Sequence, residues 1–333
     1  LSQICTKNTF EIRLSILKVL AYFKIFEHPL KLREIAALCN ISVQETEQNL
    51  SFLIEDEMIF GFEQYYSTSR MIFGFEQYYS TSRNVAQYSG LRKVKEAEAE
   101  KYFIKLKKYA KLLATFPFVR GIAVSGSLSK GVMNPDGDID YFIITKPGRL
   151  WICRTLMILF KKLFLFNSKR YFCVNYFVDE NNLQIRDKNI FTATEFVHLI
   201  PVFEHSCILN VFFEHSCILN DFLFQNNWVH KYYPNLPDWN RNYLVQCNIK
   251  LKNAFELLLK TSVFNPLEKL CHHITLYYWR KKFPNFKKEK FHLTMRSTKG
   301  ISKHHPSDFQ TKVLRAFQIE MNEINSYLTV SEL

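Results

Sequence analysis

Residues 119–145 read VRGIAVSGSLSKGVMNPDGDIDYFIIT, and the architecture follows from how this stretch is parsed. Two apolar runs, 119–125 and 139–145, are rich in β-branched and aromatic residues, bracket a small polar turn and read as buried strands. Side chains alternate faces along a strand, so Asp138 and Asp140 share one face while Ile139 enters the core. Neighbouring carboxylates raise each other's proton affinity unless a cation stands between them. A hard, oxygen-liganded Mg²⁺ is the natural cation, especially where phosphates complete its shell. Gly126 lets the backbone approach a phosphate, and Ser127 offers its hydroxyl and N–H where a short helix begins. Lys130 could neutralise phosphate charge, or be a plain surface lysine. An isolated Asp-x-Asp is most often a solvated turn; leading an apolar strand after a Gly-Ser elbow, it suits phosphoryl or nucleotidyl transfer.

At these residues the chain resembles the nucleotidyltransferase superfamily of DNA polymerase beta. That signature is an apolar residue, Gly-Ser or Gly-Gly, about ten residues, then Asp-x-Asp or Asp-x-Glu framed by apolar residues. Val124, Gly126-Ser127, Asp138, Asp140 and Phe142 fit it. Through GSLSKG, DIDYFIITKPGRLW and NIFTATE the chain also looks like bacterial proteins described only as nucleotidyltransferase domain-containing. The resemblance implies that Gly126 and Ser127 bind the triphosphate and that Asp138 and Asp140 are the metal ligands. It also implies a third carboxylate from a later strand, which helps activate the attacking hydroxyl. The best candidate strand, 171–178 (YFCVNYFV), carries Asn175 in that slot, and Asn is no base and a weaker ligand. Asp179 and Glu180, just past that strand, are possible substitutes or ordinary turn residues; Glu195 is a more distant option.

With 333 residues, 47% of them apolar, the chain has material for two or three domains and a real core, which excludes extensive disorder. Eight cysteines are scattered without a Cys-x-x-Cys pair, which argues for reduced thiols and a cytoplasmic protein. The apolar stretch 150–166 is broken by Arg154, Lys161 and Lys162, so it reads as an amphipathic helix crossing to the strand at 171–178, not as a membrane span.

The first 90 residues read as a winged-helix-like module. A helix over 10–26 stops at His28-Pro29; a second follows over 31–39, then a turn at Asn40-Ile41-Ser42. Ser42 caps a third helix over 43–57 with Glu45 as capping-box partner, and 58–66 has the composition of a wing strand. Between Ile41 and Glu57 lie Glu45, Glu47, Glu55, Asp56 and Glu57 with no Lys or Arg, which opposes entry into a phosphate-lined groove and favours a protein contact.

Two short repeats are perfect: MIFGFEQYYSTSR at 58–70 and 71–83, and FEHSCILN at 203–210 and 213–220. They are too local for a solenoid. The first can place only one copy in the wing strand, leaving the other for an extended hairpin or a loop. The second sets Glu204, His205 and Cys207 against Glu214, His215 and Cys217. Two His-x-Cys units could ligate zinc, but the duplication accounts for them without ligand chemistry.

A charged helix over 92–113 leads into the core. Between Arg241 and Lys303, fourteen Lys or Arg face three Glu, a local +11 that nearly equals the +13 of the whole chain. Arg280, Lys281, Lys282, Lys287, Lys288 and Lys290 are interleaved with aromatics, a pattern that tracks RNA or single strands, or simply roofs a Phe-rich core. His272-His273 and His304-His305 lack partners at ligand spacing and read as surface or core residues.

The expected fold is therefore α+β: a winged-helix-like module over 1–90, a nucleotidyltransferase-like mixed-sheet core over 91–200, and a basic, mostly helical domain over 201–333. The expected activity is Mg²⁺-dependent transfer of a nucleoside monophosphate from a nucleoside triphosphate to a hydroxyl acceptor. The alternatives are a non-catalytic nucleotide-binding regulator and a nucleic-acid-binding protein working through residues 241–303.

Overall fold

A computed structural model describes residues 9–68, 71–205, 218–234, 239, 241–247, 250–259 and 261–331. The chain divides into two compact units, one of residues 1–96, 230–235 and 310–333, the other of 97–229 and 236–309. Residues 201–333, expected as one domain, are thus shared between the two units.

In the first unit, α1 (Thr9–Lys24) buries Ile12, Ile16, Leu17, Leu20 and Phe23, the stripe its 3.6-residue period predicts. After β1 (Leu30–Lys31) and α2 (Leu32–Cys39), Asn40 takes a left-handed conformation that closes the helix. The Ser42 hydroxyl accepts from the Glu45 N–H at 3.1 Å and starts α3 (Val43–Glu55). The two copies of the first repeat become β2 (Phe60–Thr68) and β3 (Met71–Ser80), which pair antiparallel with each other. Of the two outcomes open to the second copy, the hairpin is the one observed: identical strand-prone segments satisfy each other's backbone. The sheet order β1-β3-β2 makes β3 central, and its Tyr78 and Tyr79 are buried. At the start of α4 (Val85–Ala114), Arg92 donates to Glu34 Oε2 at 2.8 Å and to the Pro29 carbonyl.

In the second unit, α4 presents Ala99, Tyr102, Leu106, Ala110 and Leu113 to the core, a three-and-four spacing on one helical face. The elements then run β4 (Val119–Ser125), α5 (Gly126–Ser129), β5 (Asp140–Thr145), α6 (Leu150–Phe164), β6 (Cys173–Asp179), α7 (Ile190–Val197) and β7 (Ile200–Glu204). They continue with α8 (Ile218–Gln225), α9 (Lys250–Leu259), α10 (Asn265–Lys282), α11 (Lys288–Thr294), β8 (Ser297–Thr298) and β9 (Ile301–Lys303). The sheet is mixed, in the order β7-β4-β5-β6-β9-β8, with β5 and β6 parallel and joined through α6. Residues beyond 200 therefore supply three of its strands.

One anchor matters for the site. The Tyr102 hydroxyl donates to the carbonyls of Pro135 and Gly137, at 3.1 and 3.0 Å, and accepts from Arg170 Nε at 3.1 Å. It pins the loop that delivers Asp138. The last helix, α12 (Phe309–Ser331), contributes to the first unit, where Glu320 accepts from Lys24 at 2.6 Å.

Candidate active site

Strand β4 ends beside the start of β5, with Ser125 paired to Asp140, so the Gly-Ser turn and the acid pair meet at one end of the sheet. Gly126 has φ +73°, and a Cβ there would stand 2.8 Å from Asp140 Oδ2. Only glycine fits both the left-handed backbone and that approach. Ser127 is exposed on the first turn of α5. The groups expected to meet phosphate are held by an internal anion: Gly126 N–H donates to Glu195 Oε2 at 3.0 Å, and Lys130 Nζ lies 2.8 Å from Glu195 Oε1. Burial pushes the Glu195 carboxyl up, but Lys130 and the Gly126 N–H more than offset it, leaving it below the usual range.

Asp140 is the first residue of β5 and Asp138 lies two before it, with Ile139 between them fully buried in the core. Burial, together with the charges of Glu195 and Asp138, pushes the Asp140 carboxyl up to about 6, against hydrogen bonds from Cys173 and Asn175. Burial and the same two aspartates push the Cys173 thiol up to about 12.

Asn175 occupies the place of the expected third carboxylate. Its Nδ2 donates to Asp140 Oδ1 at 3.1 Å and lies 3.0 Å from Cys173 Sγ. The β5–β6 ladder shifts register between Tyr141 and Phe142, so Asn175 is the bulged residue, re-aimed toward the aspartate. Asp179 and Glu180 are excluded as substitutes. Asp179 pairs with Thr145 while Cys173 pairs with Asp140, five rungs apart and so about 16 Å along the strands. Asp179 Oδ1 accepts from Asn182 Nδ2 at 2.7 Å, and Glu180 lies 3.9 Å from Arg120. Both serve the far end of the sheet.

Two hard carboxylates, one held back from ionising by its neighbours, match the charge demand of a divalent cation. Asp138 and Asp140 are the residues that could hold it, with no group of three or more His, Cys, Asp or Glu suited to a metal among the described residues. In the second repeat, Cys207, His215 and Cys217 lie outside the described residues, so the zinc reading does too.

The remaining candidates are scattered. His272 stacks on Trp151 at 4.3 Å, His273 contacts the Lys269 carbonyl, and His304 lies against Trp279 at 5.0 Å. Tyr277 and Tyr278 are exposed on α10, whereas Trp279 is buried. The direct grip of Glu195 on the turn has no signature in spacing, since 69 residues separate it from Gly126. Among the described residues, no helix is long and apolar enough to cross a membrane.

A mixed sheet with a glycine turn pressed against paired aspartates defines a class of nucleotide-handling domain. The model of the nucleotidyltransferase domain matches residues 105–198, just over a quarter of the chain, and this stretch belongs to the nucleotidyltransferase superfamily. No curated protein and no solved structure matches the chain.

Proposed function

We propose that the second unit transfers a nucleoside monophosphate from a nucleoside triphosphate to a hydroxyl acceptor, releasing pyrophosphate, with Mg²⁺ held by Asp138 and Asp140. The observation that carries the reading is the abutment of the Gly126 turn on the Asp140 carboxylate, with Asp138 two residues away and its charge felt at Asp140. The acceptor oxygen bonds to the α-phosphorus, the bond to the bridging oxygen breaks, and the acceptor proton passes to solvent water. The metal would polarise the phosphate and offset charge on the entering and leaving oxygens.

The chain's own part is positioning. Gly126 N–H and Lys130 Nζ form a donor pair for phosphate oxygens once Glu195 gives them up, and the exposed Ser127 hydroxyl adds a third. Asn175 orients Asp140 but carries no charge to share in ligation or proton removal. Asp138→Asn and Asp140→Asn are each expected to abolish Mg²⁺-dependent incorporation of labelled nucleotide while the circular dichroism spectrum is unchanged. Undiminished incorporation would rule the assignment out.

A second reading, a nucleotide-binding regulator without turnover, is favoured by Asn175 in the acid slot and distinguished by calorimetric binding of triphosphate without product. The first unit's order α1-β1-α2-α3-β2-β3, with a β1-β3-β2 sheet, supports a winged-helix-like module. Exposed Glu47, Glu55 and Phe52 on its α3 fit a protein contact better than a phosphate backbone.

A further inference from the structure

A cavity of about 300 Å³ opens in the first unit between α1, the end of α3 and the last turns of α12. Its walls are largely aliphatic: Leu17 and Leu53 are buried, with Leu14 and Met58 half-buried beside them. Phe10 and Tyr327, each about half exposed, stand at its rim. A space of this volume and lining takes one small, mostly apolar molecule that a few polar groups orient.

Two charged residues line the same space, Arg13 and Asp56. The Arg13 guanidinium lies 4.6 Å over the Phe52 ring, and Phe52 precedes Asp56 by one helical turn, on the same face of α3. The cation and the carboxylate thus face one cavity without pairing with each other. Among the described residues neither side chain has a hydrogen-bond or ion-pair partner, and Arg13 Nε is buried in that state. A donor shut away from water with no acceptor weakens the fold, and an entering acceptor relieves it.

The turn that carries Asp56 is already fixed. Asp56 N–H donates to the Phe52 carbonyl at 2.9 Å, Glu57 N–H to that of Ile54 at 3.0 Å, and Met58 N–H to that of Leu53 at 3.0 Å. Glu57 takes the left-handed conformation, φ +53°, with which the chain leaves the helix. The Tyr327 hydroxyl donates to the Asp56 carbonyl at 2.8 Å and ties α12 to the same turn. A backbone held this way before a ligand enters lowers the ordering cost of binding.

We propose that this cavity binds an apolar α-amino acid. Its carboxylate accepts from Arg13, the buried Nε included, its ammonium donates to Asp56, and its side chain lies against the leucines and Met58. A simple aliphatic acid would answer Arg13 but set a second negative charge beside Asp56. An aliphatic amine would answer Asp56 and leave Nε without an acceptor. A molecule with both charges on one carbon and an apolar tail satisfies all three demands. The site does not rest on the transferase reading.

The test is calorimetric titration of the full chain with L-leucine and L-methionine, and separately with isocaproate and isoamylamine, which are leucine without its ammonium and without its carboxylate. At least one of the two amino acids is expected to bind saturably. Isoamylamine should bind about tenfold or more weaker, and isocaproate about threefold to fivefold weaker, because Asp56 is exposed. Arg13→Met, which keeps an apolar stem, should weaken amino-acid binding about tenfold or more, and Asp56→Asn about threefold to fivefold. Should Arg13→Met fail to fold, Asp56→Asn and the four ligands carry the test. No saturable binding of either amino acid, or affinity unchanged in every variant that folds, overturns the site. Isocaproate binding as tightly as the amino acids overturns the assignment of its ligand.

Discussion

Replacing Asn175 by Asp puts a carboxylate where an amide now donates to Asp140 at 3.1 Å. Two charges roughly 4 Å apart at an effective dielectric near 20 repel by about 4 kcal/mol. The folded protein has a cheaper escape. Asp140 titrates at about 6, so keeping one proton on the pair at pH 7 costs only about 1.4 kcal/mol. Metal-free Asn175→Asp is therefore expected to lose about 1–2 kcal/mol at pH 7. That loss grows by about 1.4 kcal/mol per pH unit toward the repulsion limit, because the folded state holds a proton that the unfolded state has released. A divalent cation removes the repulsion and gains a ligand, so Mg²⁺ should raise the melting temperature of the variant more than that of the wild type, by roughly 2–4 °C for each kcal/mol recovered. Incorporation of labelled nucleotide should rise as well. Melting curves near pH 6, 7 and 8, with and without Mg²⁺, decide the matter. Equal Mg²⁺ shifts in the two proteins, or a variant whose stability is flat over that range, would refute Asp138, Asp140 and position 175 as one metal-binding cluster.

The wild-type aspartate makes a related prediction. The Asp140 carboxyl is raised from 3.8 to about 6, so its stability contribution is full below about pH 4 and is lost as pH rises through about 6, a penalty of about 3 kcal/mol at neutral pH that Mg²⁺ should relieve in thermal melts. Glu195→Gln should free Lys130 and tighten triphosphate binding several-fold by calorimetry. Because Glu195 is depressed, its stabilisation is present above the ordinary carboxylate range and fades as pH falls below it, and the variant should lack that acid limb in a pH series of melts. Gly126→Ala forces a Cβ to 2.8 Å from Asp140 Oδ2 and an L-residue into a left-handed conformation, so a loss of about 1–2 kcal/mol and of nucleotide transfer is expected in melts and activity assays. Tyr102→Phe removes the hydroxyl that donates to the Gly137 carbonyl and shares the Pro135 carbonyl with Arg170; about 1–2 kcal/mol of stability should go, with weaker Mg²⁺ binding as the Asp138 loop loosens.

Periodicity and local chemistry carried the reading a long way. Alternation along 139–145 put Ile139 in the core, where it is fully buried, because a strand's faces are set by its own backbone. The Gly-Ser elbow, the Ser42 cap and the stripe on α1 were legible for the same reason: each is an interaction within a few residues. Side chains that meet across long stretches of chain carry no such signal. Asn175 could be placed in the acid slot from the sequence, but its bond to Asp140 arises from a bulge in the pairing of two parallel strands. Asp179 and Glu180 looked available because they are near in sequence, and register sends them to the opposite end of the sheet. Glu195 reaches Gly126 only through the packing of α7 beside the turn. The cations of α6 mislead most: a helix broken by Arg154 and Lys161 reads as amphipathic, yet both residues are buried, Arg154 with its guanidinium over the Trp279 ring. Local covalent geometry determined the motif and its strands; which charges face each other was decided by tertiary packing, since electrostatic neighbours are set by distance in space and not along the chain.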